Sequence, residues 1–174
     1  MSCPICEKIK NKKDLIIYED DTLIGFLEES PSSYGHITLT PKQHLPIFEN
    51  YDDNLISHIF NTANKISSVL FDSLNIQGTN LLINNGVAAG QKYPHFLLHI
   101  IPRTENDNLQ LEWEPKKISE DEMNSAEQQL KSAASNVVVV KEKKTEVVED
   151  QETEILETKG DEENYLIKHL RRIP

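Results

Sequence analysis

Cysteine, glycine and tryptophan are scarce in this chain: two Cys, six Gly and one Trp among 174 residues. Two cysteines cannot build a disulfide-rich scaffold, so the fold must rest on a hydrophobic core. Six glycines exclude a collagen-like or glycine-rich low-complexity chain. No apolar run approaches the roughly 20 residues that span a bilayer. Basic residues are also few, 18 Lys and Arg against 29 Asp and Glu, for a net charge of -11. Neither a nucleic acid nor a membrane is therefore expected as a partner. The N-terminus, Met1-Ser2-Cys3-Pro4, lacks the apolar stretch of a secretory leader, which predicts a cytoplasmic protein. A hydrophobic content of 37% supports a core, and the length suits one domain with an appendage.

The acidity is concentrated. Residues 1–103 carry 8 Lys/Arg against 11 Asp/Glu, residues 104–164 carry 7 against 18, and residues 165–174 carry 3 against none. The front of the chain is close to neutral, and the charge belongs to a tail. This divides the chain into a compact domain over 1–115, a helix and strand-prone segment over 116–140, an acidic linker over 141–164, and an apolar, basic docking segment over 165–174. A long charged run without proline is expected to be a flexible or solvated spacer.

Within the front part, residues 14–18 and 22–28 read as two strands joined by a turn at Asp20-Asp21, a hairpin. A loop over 30–35 leads to a third strand at 36–40, which Pro41 is expected to stop. From 52 to 74, Leu55, Ile56, Ile59, Phe60, Ala63, Ile66, Val69, Leu70 and Leu74 recur at helical spacing, with Asp52 or Asp53 as the N-cap. Strands are expected at 79–83 and 95–101, the second ended by Pro102, and the alternation of Leu109 to Trp113 suggests one more. Ser119-Glu120-Asp121-Glu122 is a capping box that opens a helix running to about Ala134. The order predicts an α+β fold, an antiparallel sheet with a long helix packed on one face.

The chemistry-bearing residues cluster in 90–103. In an extended strand residues 95, 97 and 99 share one face, so a row runs His95, Leu97, His99. Its centre is a residue with no lone pair or proton to transfer, and whether the chain is an enzyme turns on Leu97. Cys3 and Cys6 form a Cys-x-x-Cys, which in a reducing compartment suggests metal or redox use. A redox site of the thioredoxin type should follow a strand and open a helix, whereas this motif opens the chain.

Several segments together resemble the histidine-triad (HIT) superfamily of nucleotide hydrolases and transferases, in its archaeal/bacterial-like form. They are Cys3-x-x-Cys6, the segment from Gly35 to His44, the long helix, Asn84-Asn85-Gly86, Ala89-Gly90-Gln91, and His95 to Arg103. Their joint order covers roughly residues 3–103. The family pattern is His-φ-His-φ-His-φ-φ, with φ apolar. Here it reads His95-Phe96-Leu97-Leu98-His99-Ile100-Ile101, so the resemblance implies a HIT-like fold whose central histidine is replaced by Leu97. In the family that histidine attacks the α-phosphorus of a nucleotide and forms a nucleotidyl-histidine intermediate. Loss of a covalent nucleophile costs roughly 10⁶-fold in other enzymes.

The resemblance implies roles for further residues. Cys3, Cys6, His44 and His95 would form a four-ligand, structural zinc site, as in the galactose-1-phosphate uridylyltransferase branch. Asn84, Gly90, Gln91 and His99 match positions that contact phosphate or orient the nucleophile, with Gln91 able to donate to an oxygen; Lys92 stands where many relatives have a small hydroxyl residue, and would either add a cation to the phosphate site or point to solvent. Phe26, Leu27, Ile37 and Phe48 match a nucleoside pocket. Family members are commonly homodimers that pair their sheets across a two-fold axis. Three functions follow as expectations. The chain binds a nucleoside phosphate or dinucleoside polyphosphate without the covalent step. Or it remains an active hydrolase or transferase, with His99 or His36 as catalytic residues in a changed mechanism. Or it is a zinc-braced scaffold whose C-terminal tail binds a protein partner. His58 is expected to face outward or make a local contact, and Arg103 to form a structural ion pair.

Overall fold

The computed structural model describes residues 3–11 and 15–134. The expected strand-prone run at Val137–Val140, the acidic linker and the docking segment with His169 lie outside the described residues. The chain divides into two units, Met1–Glu114 and Pro115–Pro174. The first holds helix α1 (Pro4–Asn11), strands β1 (Ile16–Glu19), β2 (Leu23–Leu27) and β3 (Ile37–Pro41), helix α2 (Asp53–Leu74), and strands β4 (Gly78–Ile83) and β5 (Leu98–Arg103). The five strands form one antiparallel sheet in the order β1-β2-β3-β5-β4. The described part of the second unit contains helix α3 (Glu120–Ala134), none of whose residues is buried. Ser119 caps it as expected: its Oγ accepts from the Glu122 N–H at 3.3 Å, and Glu122 Oε2 accepts from the Ser119 N–H at 3.0 Å. No helix among the described residues is long and apolar enough to cross a membrane.

Helix α2 covers one face of the sheet. Asp52 is its N-cap, with the side chain accepting from the Leu55 N–H at 2.9 Å, and Asn75 closes it in the left-handed region at φ 51°. Ile59, Ala63, Ile66 and Leu70 from the helix pack with Leu23, Ile37, Leu39, Phe96, Leu98 and Ile100 beneath. Full burial of each Leu or Ile contributes about 1.5–3 kcal/mol. Gly35 turns the chain into β3 at φ 83°, and a Cβ there would lie 2.5 Å from Leu74 Cδ1. The positive φ is what favours glycine there, since Leu74 Cδ1 is the end of a side chain that can turn aside.

The structure corrects four sequence expectations. Pro41 is the last residue of β3, where the strand stops as expected, paired with Leu23, whereas Pro102 lies inside β5, paired with Thr79. β3 and β5 pair only over Ile37–Leu39 and Leu98–Ile100. Each proline sits beyond that overlap, where its strand has a neighbour on one side and a missing N–H is tolerated. The strand expected at Leu109–Trp113 does not form, and Trp113 is 84% exposed. The chain bends before it, with Asn106 and Asn108 at φ 64° and 59°. Alternation without a sheet edge to join does not make a strand. The residues 95–97 precede β5 rather than forming its start. Finally, α1 was not expected. Its apolar content is Ile5 and Ile9, four residues apart, behind a Pro at the first helical position.

The hairpin turn carries a polar hub. Asp20 Oδ1 accepts from the Thr22 and Leu23 N–H groups at 2.7 Å each, and Oδ2 accepts from the Tyr18 hydroxyl at 2.5 Å and pairs with His58 Nε2 at 2.7 Å. His58 thus ties α2 to the hairpin. Burial opposes ionisation of Asp20, but the Tyr18 hydroxyl, the two backbone N–H groups and His58 outweigh it and hold the carboxyl well below the usual range. A depressed carboxyl contributes stability above its unfolded value near 3.9 and loses it as pH falls further. Asp20→Ala is expected to cost about 2 kcal/mol, read as a lower urea midpoint with unchanged slope at neutral pH. The difference from wild type should shrink as the pH approaches 2.

Candidate functional site

The sheet face opposite α2 is the floor of a cavity of about 680 Å³. Alternate residues along four strands and the chain just beyond their ends line it: Phe26 and Glu28, His36 and Thr38, Leu82 and Asn84, and the row His95, Leu97, His99 and Ile101. Residues between them, such as Ile37, Leu98 and Ile100, belong to the core. The two-residue period of extended chain therefore puts Leu97 and both histidines on one face, as expected. Helix α1 forms a wall of the same cavity through Pro4, Ile5, Glu7, Lys8 and Asn11.

Cys3, Cys6, His44 and His95 converge at the edge of this cavity, their ligand atoms all within 4.8 Å of one another. Cys3 Sγ and His95 Nδ1 are 3.6 Å apart, Cys6 Sγ and His95 Nδ1 3.5 Å, and Cys6 Sγ and His44 Nδ1 3.3 Å. Zinc bonds of about 2.3 Å to sulfur and 2.0–2.1 Å to nitrogen, at a tetrahedral angle, set sulfur and nitrogen about 3.5 Å apart. The donor set and its spacing fit such an ion. The tautomer fits as well: His95 Nε2 donates to the Pro41 carbonyl at 2.9 Å, which leaves the Nδ1 lone pair aimed at the two sulfurs. Burial lowers the His95 pKa, against the pull of the Pro41 carbonyl and together with His44, so the ring stays neutral and available. Burial and then Cys3 push the Cys6 thiol up. Cys3 also precedes α1 and its carbonyl accepts from the Glu7 N–H at 3.1 Å, so the Cys-x-x-Cys does open a helix.

Glu28, His36 and His99 form a second cluster of possible ligands. Its hydrogen bonds point to a different role. The Ser32 backbone N–H donates to His36 Nδ1 at 3.1 Å, so the proton of the neutral His36 ring sits on Nε2. That Nε2 faces His99 Nδ1 at 3.1 Å and donates to it, which puts the His99 proton on its own Nε2. A metal on His36 Nε2 would have to displace that proton, so this set does not fit a metal as the Cys/His cluster does. Thr38 Oγ1 donates to Glu28 Oε2 at 2.6 Å and lies 3.2 Å from His99 Nδ1. Burial lowers the pKa of both histidines; for His36 the charge of His99 adds, while for His99 Glu28 opposes and Lys92 adds. Burial also resists ionisation of Glu28, but the Thr38 hydroxyl, His99 and Lys8 hold it below its ordinary value. The network presents a neutral His99 whose Nε2–H is a donor beside Leu97.

The remaining expected residues divide. Asn84, Gly90 and Lys92 line the cavity, and Gly90 takes φ 87° close to the Asn84 amide. Gln91 also lines it, but its carboxamide is engaged in the loop. Nε2 donates to the Pro46 and Tyr93 carbonyls at 2.8 and 2.9 Å, and Oε1 accepts from the Gly86 N–H at 2.7 Å. Both amide protons are taken, so Gln91 braces the loop instead of donating to a ligand. Phe26 lines the cavity with Lys8 4.5 Å above its ring. Leu27 and Ile37 do not: each follows a cavity residue by one position and so faces the opposite side, in a separate 340 Å³ apolar groove with Ile66 and Leu70. Phe48 stacks on Phe96 at 5.3 Å against the core. Arg103 pairs with Asp107 at 2.6 Å. Glu28 and Thr38 were not singled out from the sequence, although both follow by two positions a residue that was, Phe26 and His36.

The depressed His36 and His99 have a consequence for stability. Near pH 7.5 they are neutral folded and unfolded. As pH falls through about 6.5 the unfolded state takes up protons that the folded state refuses, so stability drops. The urea midpoint is expected to fall from pH 7.5 to 5.5, and His36→Gln should flatten that part of the profile.

The HIT domain profile matches residues 9–106. The chain is 35% identical over 108 residues to adenylylsulfatase HINT3 of Arabidopsis thaliana, a match covering 62% of this chain and 55% of that one, so it spans about half the length of that relative. The solved histidine triad nucleotide-binding protein of Candida albicans superposes with a TM-score of 0.69 at 27% identity, over 79% of this chain and 100% of the other. A zinc-bound histidine triad family protein of Mycobacterium smegmatis superposes with a TM-score of 0.60 at 29% identity, over 76% and 98%. With a domain match over more than half its length and this shared fold, the chain belongs to the HIT family.

Proposed function

We propose that this chain binds a nucleoside phosphate or dinucleoside polyphosphate in the cavity and does not form a covalent nucleotidyl intermediate. The observation that carries the reading is Leu97, which stands on the cavity floor between His95 and His99, where the family pattern has its nucleophile. Its aliphatic side chain offers no lone pair. The neighbouring histidines do not replace it. His95 directs its free nitrogen at the cysteines, away from any phosphate, and His99 Nδ1 is occupied by His36. The Nε2–H of His99 suits hydrogen bonding to a phosphate oxygen, with Lys92 adding positive charge nearby and Asn84 and Gly90 bounding the same pocket. This favours binding over a changed mechanism in which His99 or His36 is the base. A base needs a lone pair where His99 carries its proton.

Zinc held by Cys3, Cys6, His44 and His95 is the second part of the reading. It is supported by the spacing of the four ligand atoms and by the zinc-bound family structure. The ion would have four protein ligands and no open position, so the chemistry it supplies is bracing of the fold. A homodimer is proposed through β4, whose outer edge carries backbone groups that no other strand of the sheet pairs. The C-terminal tail over 141–174 remains a candidate arm for a protein partner or for the second subunit.

The expected results are specific. Titration calorimetry should show AMP or a dinucleoside polyphosphate binding, and absence of heat at millimolar ligand would sink the reading. Wild-type protein should not turn over a nucleoside phosphoramidate, and Leu97→His should create turnover. Parent activity that His99→Ala abolishes would favour the changed mechanism. The purified protein should carry about one zinc per chain by elemental analysis, and Cys6→Ser should weaken zinc by more than the 10–100-fold typical of losing an outer-shell partner. Light scattering of the full chain and of a 1–140 truncation reads out the dimer and the contribution of the tail.

A further inference from the structure

The metal cluster and the ligand cavity share one element. Cys3 and Cys6 lie at the start of α1, and the same eight-residue helix supplies Pro4, Ile5, Glu7, Lys8 and Asn11 to the cavity wall. A helix of this length is not stable by itself in water, and Ile5 is its one buried residue. Lys8, its side chain 20% exposed, approaches Glu29 at 3.4 Å, lies 4.5 Å over the buried Phe26 ring and adds its charge near Glu28. The Glu29 side chain is 72% exposed, and an ion pair with an exposed glutamate is a weak anchor. The two ends of the cluster are unequal. His95 is buried and held by the Pro41 carbonyl at 2.9 Å, whether or not its Nδ1 has a partner. The cysteines have no comparable tie to the sheet: their closest sheet-side neighbours are His95, His44 and, at 3.9 Å, the Pro94 carbonyl.

We propose that the Cys3-Cys6-His44-His95 site is a latch on the ligand cavity: zinc in it clamps α1 as the cavity wall, and loss of zinc frees α1 and weakens ligand binding while the sheet stays intact. The mechanism is a population effect. Without the ion, α1 occupies the wall position for only a fraction of the time, and apparent affinity falls by that fraction. The asymmetry of the anchors sets which side moves, α1 rather than β5. The latch adds to a bracing role a thermodynamic coupling between two sites. By reciprocity, ligand contacting Ile5 and Lys8 should also tighten zinc. The ligand half of the proposal rests on the nucleotide reading above, whereas the helix half does not.

The test compares the full chain loaded with zinc and after treatment with a chelator, metal content being checked in each. Hydrogen-deuterium exchange is followed on residues 3–11 and on α2 and β5, and AMP affinity is measured by calorimetry. The expected result is a rise in exchange confined to 3–11 and a Kd weakened about tenfold, as when the wall is in place a tenth of the time. Unchanged exchange at 3–11 overturns the latch. So does a loss of protection across α2 and β5, since the ion would then hold the whole fold. A freed α1 with unchanged Kd overturns the coupling. Failure of the zinc-loaded protein to bind AMP removes the nucleotide reading, and the exchange data still decide whether α1 is latched. Cys6→Ser should reproduce the chelated state, and if that variant does not fold the chelated wild type decides.

Discussion

The two-residue alternation through 95–101 is the constraint on which the rest depends. Phe96, Leu98 and Ile100 must go under α2, because they are the centre of the apolar core. That requirement turns His95, Leu97, His99 and Ile101 to the other face, where they make the cavity floor. A one-residue slip would bury both histidines beneath the helix and expose three core residues. Packing energy therefore positions the site, and the neighbouring strands obey the same rule. Phe26 and Glu28 stand above Leu23 and Leu27 in this sense, as His36 and Thr38 do above Ile37 and Leu39.

Two histidine clusters on that face have been given different chemistry by single backbone groups. The Pro41 carbonyl accepts a hydrogen bond from His95 Nε2–H, which leaves the Nδ1 lone pair facing two sulfurs. The Ser32 N–H takes the lone pair of His36 Nδ1, and the consequence passes through Nε2 to His99, which is left with a donor beside Leu97. One cluster thus fits a soft cation, and the other fits an anion. Side chains of the same type differ because each imidazole has two nitrogens, and the backbone decides which of them is protonated.

Much of this was legible in the residue order. The hairpin at Asp20, the helix from Asp52 and the capping box at Ser119 rest on local rules of spacing and hydrogen bonding, and each formed where expected. The misreadings concern neighbours. Pro102 looks like a strand breaker until the short β3–β5 overlap shows that it faces no partner needing its N–H. Leu109, Leu111 and Trp113 alternate like a strand but meet no edge. Leu27 and Ile37 match a family pocket by position, yet their parity sends them to the helix side. Gln91 has the right chemistry for a ligand contact, and the loop consumes both of its donors.

The sequence by itself determined the fold class, put a leucine between two histidines at position 97, and singled out Cys3, Cys6, His44 and His95, whose ligand atoms converge. These depend on residue identity and on periods that local backbone geometry enforces. Tertiary structure alone decided that α1 brings Cys3 and Cys6 to His44 and His95 while forming the cavity wall, that Glu28 and Thr38 join His36 and His99, and which nitrogen of each histidine carries its proton. The reason is physical: ring tautomers and shared walls are set by groups distant in the chain, as when His95 meets Cys3 across 92 residues. No local period encodes such a meeting, and it exists only after the sheet has brought the strands together.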